Sequence, residues 1–221
     1  MGRSSSADTT GGSVDAFGAE TSEHSPFAGI VFAMSDPVGP DARAALVAHL
    51  TKHSLRTDGP FTLRSGAISD WYMDARQTTF AGEGLWAVGE AVAAVLDPEV
   101  DAIGGLTMGA DPIAFAAAAY ATQHGRPLDA FSVRKTAKEH GLGGRMVGAA
   151  QAGANVCVID DTSTTGGAII EALESAIAEG LNVKQAIVLF DRSGGVVSAA
   201  MSSRDIPYQA ILVPADLGLG S

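Results

Sequence analysis

Residues 156–168 read VCVIDDTSTTGGA, and this stretch carries most of the fold prediction. Four apolar residues are followed by the acids Asp160 and Asp161, and then by a turn rich in Thr and Gly. The next residues, AIIEALESAIAEG, have an apolar helical pattern. This order predicts a buried strand that leads directly into a helix. Ligands of open α/β sheets bind beyond the carboxyl ends of strands, so the junction is a candidate binding site.

The junction combines groups suited to phosphate with groups suited to sugar hydroxyls. A helix start offers unpaired N–H groups, Gly166 and Gly167 allow close backbone approach, and neighbouring Thr hydroxyls add donors. Asp160 and Asp161 can accept hydrogen bonds from hydroxyls, but they repel phosphate, which implies a ligand that carries both. The alternative is simple helix capping, which explains only one acid and one or two Thr or Gly residues. Neither GxxxxGK[ST] nor GxGxxG occurs here.

Strands and helices alternate through the rest of the chain. Helices are predicted at 40–51, 84–96 and 111–123, and short strands at FTLRSG and SDWYMDARQTTF, around a turn at Ser65–Gly66. Further strands are predicted at 102–106 and in the segments FSVRK, NVCVIDD, VKQAIVLFDRS and YQAILVP. Alternation of this kind predicts a mostly parallel sheet with helices on its faces.

Composition limits the class of protein. The chain has 221 residues, of which 46% are hydrophobic, and its net charge is −11. We expect one domain at 26–221 after a disordered tail at 1–25, with no nucleic-acid partner and no membrane segment. The lone Cys157 excludes an internal disulfide and a cysteine-rich zinc site, and its apolar neighbours predict burial. A cytoplasmic protein fits these features.

Positive charge is concentrated in one segment. Arg134, Lys135, Lys138 and Arg145 lie close together in a chain with only 14 Lys and Arg residues. Such a cluster in an acidic protein predicts an anion-binding segment.

At residues 160–168 the chain resembles the phosphoribosyltransferases of the type I fold. The resemblance implies a twisted, mostly parallel sheet flanked by helices, with a small N-terminal hood from about 40–75. It also implies that this stretch binds phosphoribosyl diphosphate. The residues implicated are Asp160, Asp161, Thr162, Ser163, Thr164, Thr165, Gly166, Gly167 and Ala168.

Residues 131–144, FSVRKTAKEHGLGG, resemble the mobile catalytic loop of orotate phosphoribosyltransferases. The resemblance implies that Arg134, Lys135, Lys138 and His140 bind phosphoribosyl diphosphate and act in catalysis together with Asp160 and Asp161. A leaving diphosphate needs concentrated cations, and we expect Lys138 to contribute most. In this family the loop enters the neighbouring subunit's site, which implies a homodimer with shared sites. A solvated charged loop is the alternative.

Two further segments, FTLRSGAISDWYMDAR and FDRSGG, resemble the orotate-binding segments of the same family. They implicate Arg64, Tyr72, Met73 and Arg192, and Thr164 joins this set. An ion pair between Arg192 and Asp191 is the alternative. GLTMGADPIA resembles the family's diphosphate loop, but Gly109 stands where some members have Lys, so we expect only backbone contacts there.

The implied reaction transfers ribose 5-phosphate from phosphoribosyl diphosphate to orotate. It gives orotidine 5′-monophosphate and diphosphate, a step of de novo pyrimidine biosynthesis. Mg²⁺ is expected to arrive with phosphoribosyl diphosphate, and the chain shows no dedicated metal site. Two alternatives remain: a phosphoribosyltransferase for another base, and a non-catalytic regulator of the same fold that binds phosphoribosyl diphosphate.

Overall fold

The protein is represented by a computed structural model that describes residues 41–62, 66, 68–136 and 144–220. The disordered tail predicted for 1–25 lies outside this part of the chain and stays a prediction. The described helices are all too short or too polar to span a membrane.

The N-terminal part consists of a helix and two very small sheets. Helix α1 (Asp41–His53) precedes four two-residue strands: β1 (Leu55–Arg56), β2 (Phe61–Thr62), β3 (Ile68–Ser69) and β4 (Tyr72–Met73). β1 pairs antiparallel with β4, and β2 with β3. This is the segment for which a hood was expected.

The strand predicted across SDWYMDARQTTF is interrupted. It pairs only at its beginning, and residues Arg76–Thr79 form the short helix α2, followed by α3 (Gly82–Ala93). The Asp74 carboxylate accepts a hydrogen bond from the backbone N–H of Arg76 at 3.4 Å and one from the Gln77 side chain at 3.3 Å. These local bonds favour a turn at Asp74 over continued strand.

A six-stranded sheet forms the centre of the molecule. Its strands are β5 (Ala102–Leu106), β6 (Asp129–Val133), β7 (Met146–Gly148), β8 (Asn155–Ser163), β9 (Asn182–Asp191) and β10 (Tyr208–Leu212). They lie in the order β10-β9-β8-β5-β6-β7, parallel except for the edge strand β7. The predicted mostly parallel α/β sheet is confirmed. β7 was not predicted, because its Gly-rich sequence has no strand pattern and only pairing with β6 makes it extended.

Helices cover both faces of the sheet. α4 (Ala110–Gln123) joins α1 and α3 on one face, and α5 (Gly167–Ala178) joins α6 (Val196–Ser202) on the other. Alternate residues of β8 serve the two faces: Cys157 and Ile159 pack in the first core, Val156 and Val158 in the second. The predicted burial of Cys157 is confirmed, since its side chain is fully enclosed.

The sheet order creates a crevice between β5 and β8. From β5 the chain continues to β6 on one side of the sheet, and from β8 it continues to β9 on the other side. The neighbouring strands β5 and β8 therefore form the topological switch point, where α/β sheets bind ligands. β5 pairs with β8 only as far as Gly104 and Val158, whereas β8 pairs with β9 up to Ser163 and Asp191. The last part of β8 therefore has an open side.

Candidate functional site

A cavity of about 330 Å³ occupies that open side. Its described walls are residues 72–76 of the N-terminal part, 106–109 after β5, 160–162 of β8, Lys135 after β6, and Ala168 in the first turn of α5. The predicted positions Tyr72, Met73 and the two acids are therefore brought together around one space.

Asp160 is the most deeply placed of these groups. It is only 5% exposed, and its Oδ2 atom has no hydrogen-bond partner among the described residues. Burial, and secondly the nearby charge of Asp161, raise the pKa of Asp160 to about 7. A buried carboxylate oxygen without a partner is costly, so the site is built to receive a donor from a ligand.

Asp161 lies between two walls of the cavity. Its Oδ1 atom accepts a hydrogen bond from the Thr162 backbone N–H at 2.7 Å. Burial raises the pKa of Asp161, against the opposing effects of the Thr162 hydrogen bond and the positive charge of Arg76. A Cβ atom added to Gly109 would lie 2.8 Å from the Asp161 carboxylate, so the loop after β5 can approach Asp161 only because residue 109 has no side chain.

The start of α5 has the features of a phosphate site. Gly166 adopts a left-handed conformation (φ +78°), and no side chain of the described residues caps the helix start. Its first-turn N–H groups thus lack a capping acceptor, and they carry the positive end of the helix dipole. Thr164, Thr165 and Gly167 are exposed beside this start, whereas Ser163 is buried and uses its carbonyl to accept the N–H of Arg192 at 3.0 Å.

The base of the segment predicted to be the catalytic loop is held by Arg145. The Arg134 N–H donates to the Arg145 carbonyl at 2.8 Å, and Arg145 Nε donates back to the Arg134 carbonyl at 2.7 Å. Arg145 also forms an ion pair with Glu171 of α5. Arg145 is therefore already paired with Glu171 and bonded to Arg134, and its predicted part in an anion-binding cluster stays a prediction. Lys135 is exposed and lines the cavity, and Arg134 is half-buried.

Arg192 lies apart from the acids. Its guanidinium is 4.2 Å from the ring centre of Trp71, and it borders two adjacent cavities of about 610 and 380 Å³. Burial lowers the pKa of Arg192, and Tyr72 acts in the opposite direction. Tyr72 lines the cavity of the acids and is also close enough to Arg192 to affect its pKa.

The alternative pairing of Arg192 with Asp191 is not what the structure contains. The Asp191 carboxylate accepts hydrogen bonds from the Ser193 N–H at 2.7 Å and from the Tyr208 hydroxyl at 2.8 Å. Within the described residues, Arg192 forms no ion pair, so its guanidinium nitrogens are available to an anion.

Three predicted positions lie outside the described residues. They are Arg64, Lys138 and His140. Their roles stay predictions from the sequence.

The structure adds residues that sequence reasoning missed. Asp74 and Arg76 line the cavity, and Nε of Arg76 donates to Asp74 Oδ1 at 2.8 Å. Asp111 at the start of α4 accepts hydrogen bonds from Thr107 at 2.6 Å and from Ser132 of β6 at 2.7 Å, and so joins the loop after β5 to the neighbouring strand. The charged residues of the MDAR segment could have been noticed in the sequence, whereas the contact between Asp111 and Ser132 joins residues 21 positions apart that no local pattern reveals.

Two kinds of chemistry are not supported by the described residues. Cys157 is fully buried and its burial raises the pKa of the thiol, so it cannot serve as a nucleophile. No three His, Cys, Asp or Glu side chains in the described ranges are grouped as a metal site.

The chain is similar to known proteins in both sequence and fold. No family model matches the chain. The chain is 40% identical over 180 residues to the orotate phosphoribosyltransferase of Streptomyces avermitilis, covering 81% of this chain and 98% of that protein. It is 36% identical over 186 residues to the orotate phosphoribosyltransferase of Corynebacterium glutamicum, covering 84% of this chain and 98% of that one.

A similar solved structure carries a ligand. It is the crystal structure of Mycobacterium tuberculosis H37Rv orotate phosphoribosyltransferase in complex with phosphoribosyl diphosphate. It matches with a TM-score of 0.65 and 32% identity, covering 80% of this chain and 99% of that chain. The fold is therefore the type I phosphoribosyltransferase fold, as predicted.

Proposed function

The chain belongs to the orotate phosphoribosyltransferase family, and we propose that it transfers ribose 5-phosphate from phosphoribosyl diphosphate to orotate. The products are orotidine 5′-monophosphate and diphosphate, in the synthesis of pyrimidine nucleotides. The observation that carries the proposal is the cavity at the β5–β8 switch point, where two buried acids adjoin an uncapped helix start.

The 5-phosphate is bound by the start of α5. Gly167 and Ala168 present backbone N–H groups there, and Thr164 and Thr165 are exposed next to them. The helix dipole favours a negative charge at this point. Thr162 faces the cavity and adds a hydroxyl.

The ribose hydroxyls are bound by the two acids. Asp160 Oδ2 has no described partner, and a sugar hydroxyl satisfies it without importing charge. Asp161 faces the same cavity, and its hydrogen bonds within the described part of the chain are to Thr162 alone. Both ionised acids also favour a sugar carbon on which positive charge develops.

The base lies toward Tyr72, Met73 and Arg192. Trp71 holds the Arg192 guanidinium by stacking, which leaves its nitrogens directed to an anion such as the carboxylate of orotate. Arg64 and Thr164 belong to the base site by resemblance. This assignment explains why a partly buried cation is kept without an ion-pair partner among the described residues.

In the reaction, the bond between C1′ and the diphosphate oxygen breaks and a bond between C1′ and N1 of orotate forms. The electron pair of the broken bond leaves with diphosphate, and the proton of orotate N1 passes to the solvent. Lys138 stabilises the departing charge, with His140, Arg134 and Lys135 assisting, on a loop anchored by Arg145. The enzyme is a homodimer with shared sites, and it acts in the cytoplasm.

A Mg²⁺ ion bound to phosphoribosyl diphosphate would partly neutralise its charge, and Asp160 and Asp161 are the carboxylates that would lie nearest to it. This fits the described walls of the cavity, where Asp160 and Asp161 offer carboxylate oxygens but form no metal cage.

An ultraviolet assay with orotate, phosphoribosyl diphosphate and Mg²⁺ tests the proposal, with adenine, hypoxanthine and uracil run as competing bases. Loss of orotate with release of diphosphate is the expected result. Turnover of a different base alone would overturn the assignment of Arg192 and retain the phosphate site. Binding of phosphoribosyl diphosphate without turnover of any base would identify a regulator instead.

A further inference from the structure

We propose that Arg76 binds the diphosphate group of phosphoribosyl diphosphate, as a cation supplied by the N-terminal part and not by the loop after β5. The inference rests on the proposed function, and it assigns to Arg76 a role that neither the sequence motifs nor the resemblance indicated.

The placement of Arg76 selects one end of the ligand. The α5 start occupies one side of the cavity, and the two acids follow it along β8. Arg76 and the loop residues 106–109 line the same cavity, and Asp161 adjoins Gly109. With the 5-phosphate at α5 and the ribose at the acids, the end of the ligand left for Arg76 is the diphosphate.

The charges around the cavity make a further cation necessary. Its described walls carry three acids, Asp74, Asp160 and Asp161, against two cations, Arg76 and Lys135. Residues 106–109 contribute no charge. A cationic side chain at position 109 would first have to displace the Asp161 carboxylate, because a Cβ atom there lies 2.8 Å from it. Among the described walls, Arg76 and Lys135 are therefore the cations that can meet a diphosphate group.

The hydrogen bonds of Arg76 to Asp74 leave part of its guanidinium available to a ligand. Asp74 accepts only its Nε and its backbone N–H, at 2.8 and 3.4 Å. Both terminal guanidinium nitrogens lack a partner within the described residues, and the Arg76 side chain is 55% exposed. An Arg held at Nε presents its two terminal nitrogens as a fork, which matches two phosphate oxygens.

The chain offers a matched control for the simpler explanation, a surface ion pair with no role in binding. Arg56 pairs with Asp58 two residues away, and its side chain is 61% exposed. It differs in two respects: both Nε and Nη2 are used by Asp58, at 3.1 and 2.6 Å, and it lies outside the cavity walls. Exposed pairs of this kind contribute about 0–1 kcal/mol to folding, so neither substitution should unfold the protein.

The experiment compares Arg76→Gln, Arg76→Lys and Arg56→Gln by calorimetric binding of two probes, inorganic diphosphate and ribose 5-phosphate, and by kinetics. We expect Arg76→Gln to weaken diphosphate binding and raise the KM for phosphoribosyl diphosphate by about tenfold or more, the effect of one lost charge-assisted contact. Ribose 5-phosphate affinity and the KM for orotate should stay within about twofold. Arg76→Lys should lie between wild type and Arg76→Gln, because it keeps the charge and loses the fork.

The proposal would be overturned if Arg76→Gln and Arg56→Gln bound diphosphate equally well. It would also be overturned if Arg76→Gln lost affinity for diphosphate and ribose 5-phosphate to the same extent, because Arg76 would then bind the 5-phosphate or support the fold in general. Unfolding temperatures identify any variant with a damaged fold, and Arg76→Lys then decides through its diphosphate affinity. Binding of the probes can be measured without turnover. If the wild-type protein binds diphosphate but does not consume orotate, the proposed function is contradicted, whereas the role of Arg76 is not.

Discussion

Replacement of Asp160 by Asn should make the protein more stable while removing most of its activity. The carboxyl of Asp160 is 5% exposed, and its Oδ2 atom has no partner among the described residues. Burial raises its pKa from 3.8 to about 7. The site therefore holds a group that the fold alone disfavours in its charged form.

The size of the effect follows from that change in pKa. At about 1.4 kcal/mol for each pH unit, ionised Asp160 lowers the free energy of unfolding by roughly 4 kcal/mol. An Asn amide without a good partner at the same place costs about 1–3 kcal/mol. The net gain for Asp160→Asn is about 2 kcal/mol, which corresponds to about 4–8 °C in a chain of this size.

The raised pKa of Asp160 also determines how the stability of the protein changes with pH. Between about pH 4 and pH 7 the folded protein retains a proton on Asp160 that the unfolded chain has released, so the free energy of unfolding falls as the pH rises. The full penalty is present above pH 7 and absent below about pH 4. The difference in stability between Asp160→Asn and wild type should therefore increase from pH 5 to pH 8.

The assay is thermal unfolding of both proteins without ligand and with a chelator present, at several values between pH 5 and pH 8, together with turnover of orotate. A variant that is less stable than wild type at pH 8, or a difference that does not change with pH, would refute the reasoning. Such a result would mean that Asp160 is paired or hydrated in solution.

Three more substitutions test other parts of the site. Lys138→Ala should lower kcat by about 100-fold or more without changing the unfolding temperature, and near wild-type turnover would contradict its role at the leaving group. Trp71→Ala removes the ring beneath the partly buried Arg192 guanidinium and should raise the KM for orotate by about tenfold, whereas Trp71→Phe should keep it within about threefold; equal values for the two would show that stacking is unimportant. Gly109→Ala places a methyl 2.8 Å from the Asp161 carboxylate and should reduce kcat/KM, while Gly82→Ala, where the methyl meets nothing within 4 Å, should not; matching kinetics would show that Asp161 moves freely.

Much of the architecture could be predicted because it depends on neighbouring residues. β5 occupies the predicted residues 102–106, and β8 and α5 follow the apolar pattern around the acids. The predicted strand NVCVIDD already contained the two acids but was two residues short, since β8 continues through Thr162 and ends at Ser163. Polar residues give no strand signal, and pairing with β9 extends it there.

The acids and the phosphate turn were found for a similar reason. Asp160, Asp161 and Gly166 lie within one short segment, so their order along the chain already implies a strand end, a turn and a helix start. The resemblance to known families then supplied the substrate, and the geometry agrees with a cavity at that junction.

The charges could not be assigned in this way. The four basic residues between 134 and 145 looked alike in the sequence, yet Arg145 forms an ion pair with Glu171. Outside that segment, Arg192 stacks on Trp71 and does not pair with Asp191. Each of these contacts joins residues far apart in the chain. No local pattern encodes them, because they depend on how helices and loops pack against the sheet.

The sequence by itself determined the α/β class, the strand–turn–helix junction and the acids at that junction, because strands, helices and turns follow from short-range patterns of polarity and glycine. Only the folded chain showed that Arg76 lines the same cavity, that Asp161 lies against Gly109, and that the Asp160 carboxylate is buried without a partner. Burial and distance depend on which strands become neighbours, and the splitting of β5 from β8 beyond Gly104 and Val158 is a property of the whole sheet.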